Sequence, residues 1–190
     1  MQEEILDKKS AALKATLELI SEQGFHGTPM SQIAQKANIG VGTIYRYFKS
    51  KDDLINALYI EVKTQISNYT FRNYSDNISV PDSFKQLVSN VIHYFVENPY
   101  VLSFIEQYEN SPLITDTTRE EVTRISEPIK NLFNRAKDQE LLKKLPFEIL
   151  GALFSGAVIA LTKLCMINKA GIEEDSFEEA LEALWDMMKQ

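Results

Sequence analysis

The stretch Met30-Ser-Gln-Ile-Ala-Gln-Lys-Ala-Asn-Ile-Gly-Val-Gly-Thr-Ile-Tyr-Arg-Tyr-Phe-Lys-Ser-Lys51 constrains the fold most, because it reads as two short helices, a tight turn and the start of a third. Thr28 is placed to act as N-cap, with Pro29 at the first helical position, where a missing N–H costs nothing. Ile33, Ala34 and Ala37 then share one face. Asn38 to Gly40 makes the turn, since Asn and Gly accept positive φ more readily than other residues. From Val41 the apolar period resumes with Ile44 and Phe48 inward. Gly42, Thr43, Tyr45, Arg46 and Tyr47 are left outward.

Two helices joined this way, the second carrying outward donors, form the arrangement that sets a recognition helix into the major groove of DNA. The local charge agrees. Between Gly24 and Lys51 there is no Asp or Glu, while Lys36, Arg46, Lys49 and Lys51 are cationic. The competing reading is a three-helix cluster used for packing, with an accidental basic face. The formal charge of −7 conceals a segregation: residues 1 to 50 carry six Lys and Arg against five Asp and Glu, and the remainder carries 14 against 22. Steering follows local potential, so an acidic body does not exclude a nucleic-acid partner.

Gly24-Phe25, Thr28, Ile33-Ala34, Ala37, Gly42-Thr-Ile-Tyr45, Tyr47-Phe48, Ser50-Lys51 and Leu54 resemble the N-terminal signature of the TetR family of bacterial transcriptional regulators. The resemblance covers roughly residues 8 to 60, with Asn38, Gly40 and Tyr47 standing where Gly, Ser and His are usual. It implies an all-α chain with a helix-turn-helix DNA-binding domain over residues 1–52 and a helical ligand-binding and dimerisation domain over 53–190. It further implies a homodimer on near-palindromic double-stranded operator DNA, released by a small-molecule effector. Thr28, Tyr45, Tyr47 and Lys51 would hold phosphates, and Ser31, Val41, Gly42, Thr43 and Arg46 would lie nearest the bases.

The rest of the chain reads as helices with sparse Gly and Pro at their ends. Residues 3 to 23 form an opening helix stopped by Gly24. Ser50-Lys-Asp-Asp53 resembles a capping box for a long helix to about Tyr69. A polar connection containing Pro81 spans Asn73 to Ser83. Asn98-Pro99 repeats the cap-and-proline device. Thr117-x-x-Glu120 or Thr118-x-x-Glu121 can cap the next helix, and Pro128 should kink it. Ser176-x-x-Glu179 can cap the last.

His93, Tyr94, Phe104, Tyr108 and Phe133 can line a ligand pocket or simply pack a core. Ala152, Ser155, Gly156 and Ala160 put small residues on one helix face, and Phe177, Leu181, Leu184 and Met188 make a stripe on the last helix. Together these could supply half of a four-helix bundle completed by a second copy.

Several classes lack support. No nucleophile–base–acid set, Gly-rich phosphate loop or metal-ligand spacing occurs, so no enzyme, cofactor or metal is expected. Cys165 permits no internal disulfide and sits in an apolar helix. Ile149 to Thr162, the most apolar run, is shorter than the roughly 20 residues that span a bilayer and reads as a buried helix. The acidic N-terminus lacks a leader-like apolar run, so a cytoplasmic address is expected. The alternative function is a small-molecule binding or sequestering protein with a vestigial helix-turn-helix.

Overall fold

The computed structural model describes residues 2–75, 77–168 and 173–190, with side chains from residue 8 onward. The elements are α1 (Gln2–Gln23), α2 (Met30–Lys36), α3 (Val41–Tyr47), α4 (Lys51–Thr70), α5 (Val80–Glu97), α6 (Pro99–Tyr108), α7 (Asp116–Ile125), α8 (Glu127–Asp138), α9 (Phe147–Ile167) and α10 (Glu174–Met188). The chain is all-α, as expected. Its only extended pairing among the described residues is an isolated bridge between Leu142 and Lys189.

Two compact units divide the chain, and none of the three boundaries between them falls at residue 52. The first holds Met1–Thr64 and Asn98–Arg124, and the second holds Gln65–Glu97 and Ile125–Gln190. The first unit reaches so far along the chain because α6 packs against α1. Ser21 Oγ donates to the Tyr100 carbonyl at 3.1 Å, and Tyr100 Oη donates to Glu22 at 3.0 Å. Phe104 is fully buried and stacks on Tyr108 with ring centroids 4.9 Å apart. Asn56 of α4 ties down the loop before α7, donating to Leu113 O and accepting from Thr115 N.

The second unit wraps α8, α9 and α10 around α5. Its core includes Phe84, Leu87, Val88, Ile92, Leu132, Phe133, Leu181, Trp185 and Met188. Leu181, Leu184 and Met188 of the α10 stripe, expected at a dimer face, are buried within their own chain, with Phe177 packed at the edge. A 3.6-period stripe needs some partner, and α5 of the same chain supplies it.

The reverse holds for α9, which is not the buried helix expected. Over its 21 residues only Leu150, Val158 and Thr162 are buried, while Ala152, Ser155, Gly156 and Ala160 are exposed beside Ile149, Leu153 and Leu164. By length and composition alone it could cross a membrane, an observation of little weight for a single helix.

Several boundaries also move. Pro128 separates α7 from α8 at Ser126 instead of kinking one helix. Ser79, whose hydroxyl accepts from Asp82 N at 3.2 Å, starts α5 earlier than expected and places Pro81 inside its first turn. Thr115, not Thr117 or Thr118, accepts from the first turn of α7. The last helix begins at Glu174, ahead of Ser176.

Candidate nucleic-acid interface

The candidate surface is built on α2 and α3, seven residues each, and on the turn between them. Asn38 adopts φ of 54°, the left-handed conformation the turn requires and one that Asn tolerates. Ile33 and Ile44 are fully buried, with Ala34 and Phe48 nearly so. These residues lock the rotation of both helices, and that rotation decides what α3 presents. Val41, Gly42, Tyr45 and Arg46 are exposed, Thr43 and Tyr47 are half-buried, and Ser31 is exposed on α2. No atom from outside the local helix backbone lies within 4 Å of where a Cβ on Gly42 would sit.

Two of the expected phosphate ligands point elsewhere. Thr28 is fully buried, and its hydroxyl donates to the Gly24 carbonyl at 2.8 Å. It neither caps α2, whose N-cap position is Pro29, nor reaches the surface. The hydroxyl is captured by the left-handed turn that ends α1, at Gly24 with φ of 74°. Lys51 also turns inward. Its ammonium donates to the Phe25 carbonyl and lies 4.2 Å from the Phe25 ring centroid, and partial burial lowers its pKa. Tyr108 shares a hydrogen bond with the Phe25 backbone, while burial pushes its phenol upward.

The acid-free window is accordingly less cationic in space than in sequence. Lys36 pairs with Glu18 of α1 at 2.9 Å, and the hydrogen bond to that carboxylate raises its pKa. Arg46 and Lys49 are the two window cations that remain exposed with no ion-pair partner among the described residues. Ser50 performs half of the expected capping box, accepting from Asp53 N at 3.0 Å.

Gly27 went unnoticed in the sequence, although a Cβ there would stand 2.5 Å from the Gln23 carbonyl oxygen. The close approach tightens the chain between α1 and α2. Its only local signal is a second Gly three residues after Gly24.

The five expected pocket residues are divided between the two units. Phe104 and Tyr108 belong to the core of the first unit, and His93, Tyr94 and Phe133 belong to the second. His93 is exposed, contacting Ser89 O and the edge of Phe177. Phe133 alone lines the cavity of about 660 Å³ found in the second unit, between the end of α8 and the start of α9. No cluster of three or more potential metal ligands occurs among the described residues.

Residues 12–58 match the family model described as bacterial regulatory proteins, tetR family. Residues 80–189, more than half the chain, match a tetracyclin repressor-like C-terminal domain. An uncharacterized HTH-type transcriptional regulator of Haemophilus influenzae is 27% identical over 190 residues, covering 97% of each chain. A solved putative TetR-family regulator from Vibrio parahaemolyticus is 28% identical with a TM-score of 0.82, covering 96% of this chain and 99% of that one. Another, from Shewanella sp. PV-4, is 25% identical with a TM-score of 0.86, covering 96% and 98%.

Proposed function

The chain belongs to the TetR family of bacterial transcriptional regulators and carries its DNA-binding domain, and from that premise we propose a cytoplasmic, ligand-responsive repressor that binds a near-palindromic operator as a homodimer. It carries out no reaction of its own. The observation that carries this reading is the outward face of α3, where Val41, Gly42, Tyr45 and Arg46 stand exposed over a fully buried Ile44.

Arg46 supplies bidentate readout of a guanine edge, and Thr43 supplies a hydroxyl. Val41 offers no hydrogen bond and touches a thymine methyl. Tyr45 and Tyr47 hold phosphates, with Lys49 adding charge, and Ser31 approaches from α2. Thr28 and Lys51 serve this surface indirectly, by fixing the chain between α1 and α2.

The second copy docks on α9. Ala152, Ser155, Gly156 and Ala160 allow close helix approach, and Ile149, Leu153 and Leu164 supply apolar area. This dimer holds two α3 helices about one DNA turn apart, roughly 34 to 36 Å. An effector that takes the repressor from 99% to 1% competent needs about 5.5 kcal/mol of differential affinity between the two states.

The test is selection of bound sequences from a random duplex pool, followed by titration of the winner at two salt concentrations. A palindrome with half-sites about one turn apart, and affinity that falls steeply with salt, is the expected result. A folded dimer that enriches no sequence would sink the operator reading and favour a sequestering role.

A further inference from the structure

The cavity at the junction of α8 and α9 combines an apolar floor with a cationic rim. Phe133, Leu142, Leu145 and Phe147 contribute apolar surface, and Lys130, Lys137, Lys143 and Lys144 stand around it, with Glu140 the one acidic side chain on the lining. Its volume of about 660 Å³ falls within the range of about 300 to 1,000 Å³ typical of small-molecule sites.

The four ammonium groups are not equivalent. Lys143 donates to the Asp186 and Met187 carbonyls at 3.3 and 2.7 Å, and so is fixed at the end of α10. Lys130 lies 3.6 Å from Glu127. Lys137 and Lys144 are exposed and have no ion-pair partner among the described residues. Two uncompensated cations thus flank an apolar hollow.

The walls are built rather than incidental. Glu140 takes φ of 55°, a left-handed conformation uncommon outside Gly and Asn. That turn folds the segment after α8 back so that Leu141 N bonds the Ala136 carbonyl. The returning segment is then tied to the end of α10 by Lys143 N to Met188 O at 3.0 Å and Gln190 N to Leu141 O at 2.9 Å. The left-handed residue caps the C-terminus of α8, closed by Glu140 N to Lys137 O and Leu141 N to Ala136 O, and it fixes where the returning segment runs.

We propose that this cavity binds a monomeric anionic amphiphile, an acyl or alkyl chain ending in a carboxylate or phosphate, with the chain against Phe133, Leu142 and Phe147 and the anionic end between Lys137 and Lys144. The pairing of apolar floor and cationic rim rejects both halves of the alternatives. A small inorganic anion leaves the floor empty, and a neutral hydrocarbon leaves the lysines unused. The site gives the proposed effector a chemical class, and only its consequence at the operator rests on the repressor reading.

The experiment is calorimetric titration of the full chain, without DNA, with octanoate, decanoate and dodecanoate below their micelle concentrations, and with dodecyl phosphate and dodecan-1-ol. Affinity is expected to rise about fourfold per added methylene until the cavity is full, and dodecanol is expected to bind at least about tenfold more weakly than dodecanoate. The double variant Lys137→Glu/Lys144→Glu alters exposed side chains. It should weaken dodecanoate by at least about tenfold and leave dodecanol unchanged. Equal binding of dodecanol and dodecanoate, or indifference to the charge reversal, would overturn the site. Binding only to phosphatidylglycerol vesicles, with none to the monomers, would overturn it in favour of a membrane surface. A separate operator titration with dodecanoate reads the coupling, so a failed effector role is distinguishable from a failed site.

Discussion

The outward faces of α3 and α9 are both exposed in the single chain, yet their chemistry is opposite. Beneath α3 lies a fully buried Ile44, and above it stand Tyr45, Arg46 and a bare Gly42. Above α9 stand Ile149, Leu153, Leu164 and a row of small residues. Exposure alone says only that a partner is possible. A polar, cationic face suits a hydrated, charged partner, whereas a contiguous apolar face is costly in water and suits a second protein surface.

The largest effect that sharpens this contrast comes from α10, whose stripe packs into the core of its own chain. Leu181→Ala should cost about 2 to 5 kcal/mol in chemical denaturation while the folded protein remains dimeric. A variant of normal stability that dissociates would return the stripe to the interface. Next, Ala160→Asp places a carboxylate on the α9 face of both copies. It should raise the dimer dissociation constant about a hundredfold, measured by sedimentation, and an unaltered dimer would free α9 of that role.

On the other face, Arg46→Ala should relax preference at one base pair by about 1 to 3 kcal/mol, read by competition between single-base operator variants. Equal weakening on every sequence would make Arg46 a phosphate ligand. The smallest effect belongs to Lys51→Ala, which should remove about 0.5 to 1 kcal/mol of stability and leave the salt slope of DNA binding unchanged. A slope reduced by about one unit would put its ammonium back on a phosphate.

The contrast also shows what was legible in the sequence. The α2–α3 unit was, because its signals are local: Asn38 at a left-handed turn, and Ile33, Ile44 and Phe48 at helical spacing. The partners of α9 and α10 were not. Both helices carry apolar residues at the same period, and only the packing of α5 against them decides which stripe is core. The direction of the Thr28 hydroxyl is not legible for a related reason. A hydroxyl beside Pro29 can face forward as a cap or back to a carbonyl four residues earlier, and the Gly24 turn decides in favour of the second. Pocket lining and core packing are not separable for aromatics from spacing alone, since Phe104 and Phe133 lie apart in sequence and serve different cores. The lysines around the α8–α9 cavity carry no sequence signal, since they are scattered from 130 to 144 over α8 and the segment after it and look like a solvated surface.

The open space at Gly42 bears on how such a protein diversifies. A Cβ added there would meet no atom from outside the local helix backbone within 4 Å, and replacing Gly by Ala within a helix gains up to about 1 kcal/mol of helix propensity. A small side chain at this position therefore leaves the scaffold intact while changing the outward face of α3. A duplicated gene could acquire a new regulatory target through that single site, with every buried residue inherited unchanged.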